Sequence, residues 1–162
     1  MDLSVLKTAD LLALHASVSA ELLIRKVLRS ANNPTGDFAE YLVCRALRLT
    51  STANSHPFAD ALGADGTLYQ VKARRLTTTT TSRQLGAFRG LPSRGFDVLA
   101  AVLFESNYRV KRAALVPHHV VLERSRYIAH TNSWKFMLQD VVWKHDGVTD
   151  ITELLKAIDC TS

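Results

Sequence analysis

The chain has 162 residues, 47% of them apolar and 22% charged. That length supports a domain with a sizeable core, and that balance excludes a wholly disordered chain. Its 20 Lys and Arg outnumber its 15 Asp and Glu, and the net charge of +5 suits a polyanionic partner without specifying one.

Residues 2–29 read as helix with a break near Thr8, because Leu11, Leu14, Val18, Leu22 and Leu28 approximate a helical stripe. Pro34 closes this segment, since the residue before a proline avoids the helical region. The uncharged stretch from Leu11 to Ala20 is too short to span a bilayer, and Met1-Asp2-Leu3-Ser4 lacks the basic start of a signal peptide. A cytoplasmic protein without membrane association is therefore expected. Cys44 and Cys160 form no CxxC pair and read as reduced thiols, and no His/Cys spacing matches a zinc site.

A second helix is expected from Thr35 or Gly36 to about Leu49, with Thr35 as its cap and Asp37 in its first turn. Phe38, Tyr41, Leu42, Cys44, Ala46 and Leu49 supply its buried surface, and Glu40 lies among them. After a polar connection, Phe58–Gly63 and Thr67–Ala73 read as two strands around an Asp65-Gly66 turn. The five threonines Thr77–Thr81 read as a mobile loop, and Arg83–Phe88 as a short helix. Asp97–Phe104 is a nearly continuous apolar run, as in a strand buried on both faces, and Tyr108–Val116 returns beside it. Pro117 starts a helix to about Arg124, with His118 and His119 at its surface. Tyr127–Gly147 holds Trp134 and Trp143, both expected in the core, but its pattern assigns no element. Asp150-Ile151-Thr152-Glu153 has the form of a capping box opening a last helix to about Ile158.

The hairpin register decides whether a site exists. With a three-residue loop Ala64-Asp65-Gly66 and a left-handed Gly66, Gly63 pairs with Thr67 and Asp60 falls opposite Gln70. Lys72, two residues on, shares that face. A two-residue loop would instead set Asp60 opposite Val71 and turn it to the other side. In the first register Asp60 offers a carboxylate, Gln70 a side-chain carbonyl and Val71 a backbone carbonyl, which are oxygen ligands suited to a hard divalent cation. Glu40 on the preceding helix adds a second carboxylate. Lys72 beside them suits an attacking water or a charged phosphorane.

Glu40 within Gly36-Asp37-Phe38-Ala39-Glu40, Asp60, and Gln70-Val71-Lys72 together resemble the PD-(D/E)XK, or restriction-endonuclease-like, nuclease superfamily. The "D, about ten residues, QxK" form is similar to its Mrr-type branch. The resemblance covers about residues 36–116. It implies an α/β fold with an αβββαβ core, a central mixed sheet flanked by helices, here with an added N-terminal helix and a C-terminal helical extension. The expected organisation is one domain, 1–162, divided into a helical segment 1–33, a core 34–116 and an extension 117–162. It further implies Mg²⁺-dependent hydrolysis of DNA phosphodiesters, with Mn²⁺ able to substitute. Asp60, Gln70, Val71 and Glu40 would hold the metal, and Asp60, Gln70, Lys72 and Glu40 would be catalytic. The chain departs from the family pattern at Ala59, where a proline often stands, and at Gln70, where an acid is usual; the second change places more weight on Glu40.

Arg74, Arg75, Arg83, Arg89 and Arg94 follow the lysine and are expected to position a DNA backbone without reading its sequence. Cleavage of both strands requires two sites, so a homodimer is expected. The alternative is a nuclease fold without catalysis that binds DNA or a protein.

Overall fold

The computed structural model describes residues 2–30, 32–52 and 57–159. Its centre is the strand read from the apolar run, β5 (Val98–Phe104). Leu99, Ala101 and Leu103 point into one hydrophobic layer, while Ala100, Val102 and Phe104 point into the other. A strand with no polar face has to be covered on both sides, and the rest of the chain does this.

The elements before β5 are α1 (Thr8–Ile24), α2 (Thr35–Leu47), β1 (Thr50–Ser51), β2 (Ala61–Leu62), β3 (Leu68–Arg75) and β4 (Gln84–Phe88). After it come β6 (Val110–Pro117), α3 (His118–Arg124), β7 (Arg126–Ile128), β8 (Ser133–Met137), β9 (Thr149–Asp150) and α4 (Thr152–Asp159). The main sheet runs β1-β2-β3-β5-β6-β9, with β3 and β5 parallel and every other pair antiparallel. Among the described residues the fold is thus α/β with a mixed central sheet and four helices.

Helices α2 and α4 cover one face, where Ala39, Leu42 and Val43 of α2 pack on Val71, Ala100 and Val102 and Leu155 of α4 joins them. The other face carries a second, three-stranded sheet, β4-β8-β7, together with α3. Residues beyond 117 therefore complete both layers. Helix α1 buries none of its residues, and His15, Val18 and Leu22 lie over Phe38 and Tyr108. No helix among the described residues is long and apolar enough to cross a membrane.

Several expectations are corrected. Arg83–Phe88 contains a strand, not a helix: Leu85 and Phe88 are buried, a bulge at Gly86 separates them, and β4 finds its partner in β8. The crossover from β3 to β5 consequently carries a strand and a 3-10 turn (Leu91–Ser93) where the expected core has a helix, and one sheet face is flanked by a sheet. Pro34, not Thr35, is the N-cap of α2, and the Thr35 amide donates to Asn33 Oδ1 at 3.0 Å. The first helix ends at Ile24 rather than near Arg29. The threonine run is tied by its own bonds: the Thr77 amide donates to the Thr80 carbonyl at 3.0 Å, and the Thr80 amide to Thr77 Oγ1 at 3.0 Å. His118 is buried, its Nε2 2.8 Å from the Leu91 carbonyl and its ring against Phe96, whereas His119 is exposed.

Residues 127–147, which had no assignable element, supply most of β7, all of β8 and a 3-10 turn at Asp140–Lys144. Trp134 and Trp143 pack against the core there. At α4, Asp150 Oδ1 accepts the Thr152 amide at 2.9 Å, while Glu153 pairs with Lys156 rather than completing the box. Cys160 and part of the polar connection, residues 53–56, lie outside the described residues.

One close approach bears on the site. A Cβ at Gly95 would collide with Phe58 Cβ, two residues from Asp60. Gly95→Ala is expected to push residues 57–60 outward and cost about 1–3 kcal/mol, as overpacking does. Thermal melting checks this, with a fall of about 2–4 °C per kcal/mol for a chain of this size.

Candidate active site

The hairpin adopts the three-residue loop. Gly63 donates to the Thr67 carbonyl at 2.9 Å, Gly66 donates to the Gly63 carbonyl at 3.0 Å, and Gly66 has φ +86°. Asp65 serves the turn, accepting the Thr67 amide at 3.0 Å. Ala61 pairs with Tyr69 and Leu62 with Leu68, and the Asp60 amide donates to the Tyr69 carbonyl at 2.8 Å. Asp60 lies one residue beyond the last register pair, and it is its side chain that meets Gln70.

Its carboxylate reaches past the end of β2 to the edge of β3. Asp60 Oδ2 accepts hydrogen bonds from Gln70 Nε2 and from the Val71 amide, the latter at 2.7 Å. The amide and carbonyl of one strand residue project to the same side, so the Val71 carbonyl also faces the Asp60 edge. From β1's side, the Thr52 amide donates to the Asp60 carbonyl at 3.0 Å and the Thr52 hydroxyl to the Ala59 carbonyl at 2.6 Å. Bonds to both neighbouring segments thus fix the backbone that carries the acid.

Lys72 leaves β3 on the face turned toward β4. A Cβ on Gly86 would lie 3.7 Å from Lys72 Cδ, so the lysine stem runs alongside the bulge. Its Nζ lies 5.9 Å from the centre of the Phe88 ring, a cation–π position, and it forms no ion pair among the described residues. Gln70 and Lys72 open into a cleft of about 260 Å³ that is also lined by Phe58, Phe88, Arg89 and Phe96.

Glu40 approaches from α2. Arg29 donates to it at 2.7 Å and also binds Asp37. Burial, then the charge of Asp60, pushes the Glu40 carboxyl up to about 7, and Arg29 offsets this only in part. Arg29 itself is held above its usual value: burial pulls it down, but Glu40 and Asp37 outweigh that. The two shifts agree, because Arg29 faces two acids while Glu40 also faces Asp60. Arg29 is shared between Asp37 and Glu40, and Glu40 responds to burial and to the Asp60 charge by holding its proton more tightly.

This donor set fits a hard divalent cation with few protein ligands. Asp60, Glu40 and the Val71 carbonyl offer oxygens, and a small cation such as Mg²⁺ keeps several waters. Gln70 joins them less directly, since it presents its amide nitrogen to Asp60 and must turn that amide over to offer oxygen. Among the described residues no group of three or more His, Cys, Asp and Glu gathers around one point. The set is therefore two carboxylates supplemented by uncharged oxygens.

The five arginines do not form one patch. Arg89 lines the Lys72 cleft. Arg94 pairs with Asp97 at 3.5 Å, and Arg83 binds Asp140 at 2.7 Å. Arg74 and Arg75 lie at the far end of β3, where Arg75 stacks 4.5 Å from the centre of the Tyr108 ring. Arg29, Phe58 and Phe88 belong to the neighbourhood of the site but carry no spacing signal in the sequence. Reading 83–88 as a helix also hid the placement of Phe88 beside Lys72. Neither a scan against protein-family models nor a search of curated proteins finds a match for this chain.

The Glu40 shift makes a stability prediction. Below about pH 4.5 this carboxyl is protonated in both folded and unfolded chains and carries no penalty. As pH rises toward about 7, the unfolded chain ionises first, so the folded state loses stability. With solvent screening discounted, the loss is on the order of 1–2 kcal/mol. Thermal melts in a chelator should show this decline in the wild type and not in Glu40→Gln.

Proposed function

We propose that this protein is a metal-dependent nuclease that hydrolyses DNA phosphodiester bonds, with a restriction-endonuclease-like core. The observation that carries the reading is the hairpin that brings the Asp60 carboxylate to the Gln70 side chain and the Val71 amide, within electrostatic reach of Glu40. The topology supports it as well: α2 precedes an antiparallel run of β1, β2 and β3, and β5 follows parallel to β3.

In this reading Asp60, Glu40 and the Val71 carbonyl would hold Mg²⁺ or Mn²⁺, and Gln70 would contribute only with its amide oxygen turned to the site. The cation supplies Lewis-acid activation of the phosphodiester and of the attacking water. Lys72 places its ammonium in the cleft where negative charge grows on the phosphoryl oxygens, and it orients the water. Arg89 contacts a neighbouring phosphate. Glu40 would have to be ionised to serve as a ligand. The protein acts in the cytoplasm, and two copies together cut both strands.

The test is incubation of the purified protein with plasmid, linear single-stranded, branched DNA and RNA, in Mg²⁺, in Mn²⁺ and in chelator. Metal-dependent cleavage of at least one DNA form is expected. Intact substrate in every arm would sink the enzyme reading. A second reading, a nuclease fold that only binds, is favoured by the two-carboxylate donor set and by the Gln70 nitrogen facing Asp60. Calorimetric titration with Mn²⁺ separates the two: heat that vanishes in Asp60→Asn belongs to the enzyme, and no heat belongs to the binder.

A further inference from the structure

The cleft at Lys72 contains more than phosphodiester hydrolysis needs. Phe58 lines it two residues before Asp60 and is 42% exposed. Its side chain lies against Gly95, where a Cβ would collide with it. Phe88 and Phe96 form an apolar wall, both buried, with ring centres 6.0 Å apart. Two cations complete the lining. Lys72 Nζ lies 5.9 Å from the centre of the Phe88 ring, and Arg89 is exposed. Neither cation forms an ion pair among the described residues.

One exposed phenylalanine is ordinary on a protein surface. Here an accessible ring, two cations without carboxylate partners and an open void share one cleft. Aromatic rings beside cations that follow a phosphate backbone hold single strands, because every base offers a π-face. A duplex offers no such face until a base is unstacked and unpaired, which costs free energy. The void of about 260 Å³ falls below the range of about 300–1,000 Å³ that takes a drug-sized molecule, so it suits one planar ring and excludes a base pair. We infer that this cleft stacks one unpaired base of a DNA strand on the Phe58 ring, which makes single-stranded or locally unpaired DNA the substrate class. Lys72 and Arg89 supply charge for the phosphates next to that base. Only Ala59 separates Phe58 from Asp60, so the stacked base sets which phosphodiester reaches the carboxylates. In a locally opened duplex each strand offers such a base, one to each of two copies. That the strand is a substrate rests on the nuclease reading above. That the cleft holds a base does not, since stacking needs no metal.

The test measures binding of a labelled oligothymidylate, an abasic strand of the same length and a duplex, in chelator at about 50 mM salt, where backbone contacts are strong in all three. The abasic strand keeps the phosphates and lacks the bases. The wild type should bind oligothymidylate about tenfold or more tighter than the abasic strand, the size of one base stacked on an aromatic ring. Phe58→Leu keeps a Cβ and a Cγ against Gly95 and removes the ring. It should lose that preference while binding the abasic strand and the duplex as the wild type does. Phe58→Trp should restore the preference, and the added indole should be quenched by oligothymidylate and not by the abasic strand. Equal wild-type affinity for the two single strands, or a preference that survives in Phe58→Leu, overturns the inference. An equal loss on the duplex overturns the single-strand assignment, and a free nucleoside monophosphate that competes at the same concentration overturns the assignment to a strand. The assay holds no metal. Base preference without cleavage in Mg²⁺ or Mn²⁺ therefore sinks the nuclease reading alone, and cleavage without base preference sinks this inference alone.

Discussion

Asp60→Asn is expected to reduce metal-dependent DNA cleavage on the order of 10³-fold or more while the protein stays folded. The choice of asparagine matters. Asp60 Oδ2 accepts the Val71 amide and the Gln70 amide nitrogen, so this carboxylate also holds the end of the hairpin to β3. Alanine would leave the Val71 amide without its partner and cost about 1–3 kcal/mol by itself, confusing lost chemistry with lost structure. Asparagine keeps an oxygen for Val71 and removes only the charge. A melting temperature within a few degrees of wild type, together with loss of cleavage and of Mn²⁺ heat, would assign the effect to the metal site. Cleavage within about tenfold of wild type would show that Asp60 is a structural hairpin residue and nothing more.

The hairpin was legible because its determinants are local. Asp65-Gly66 allows few turn geometries, Gly66 accepts the left-handed conformation, and the two-residue period then fixes which side Asp60 takes. Strand β5 was legible for a similar reason, since seven consecutive residues without a polar face have one stable setting. The second sheet was not legible. Gln84–Phe88 is short, its bulge at Gly86 breaks the alternation, and its partner β8 lies some fifty residues away in a segment whose pattern fits no single period. Only tertiary pairing selects strand over helix there.

The same limit applies to the site. Asp60, Gln70 and Lys72 are related by hairpin arithmetic, and so could be placed from sequence. Glu40 could be nominated from its helix but not positioned. That Arg29 would bind it, or that Phe88 would lie near Lys72, depends on packing between distant segments. The arginines show the converse error: closeness in sequence suggested one patch, but alternation along β3 and separate acid partners disperse them.

Lys72→Met is expected to lower the cleavage rate about 10²- to 10³-fold, with Mn²⁺ affinity unchanged and DNA affinity reduced only slightly. Methionine is close to a lysine without its ammonium. It keeps apolar contact with the Gly86 bulge and the Phe88 ring, so the wall between β3 and β4 is preserved and the loss is one of charge. Arginine is not a substitute. Its planar fork is broader than an ammonium and is never deprotonated. Lys72→Arg should therefore restore DNA binding without restoring the rate. That split separates a catalytic lysine from a phosphate-holding one: full activity in Lys72→Arg would mean that only the positive charge matters, and that Lys72 acts on the DNA backbone as Arg89 does.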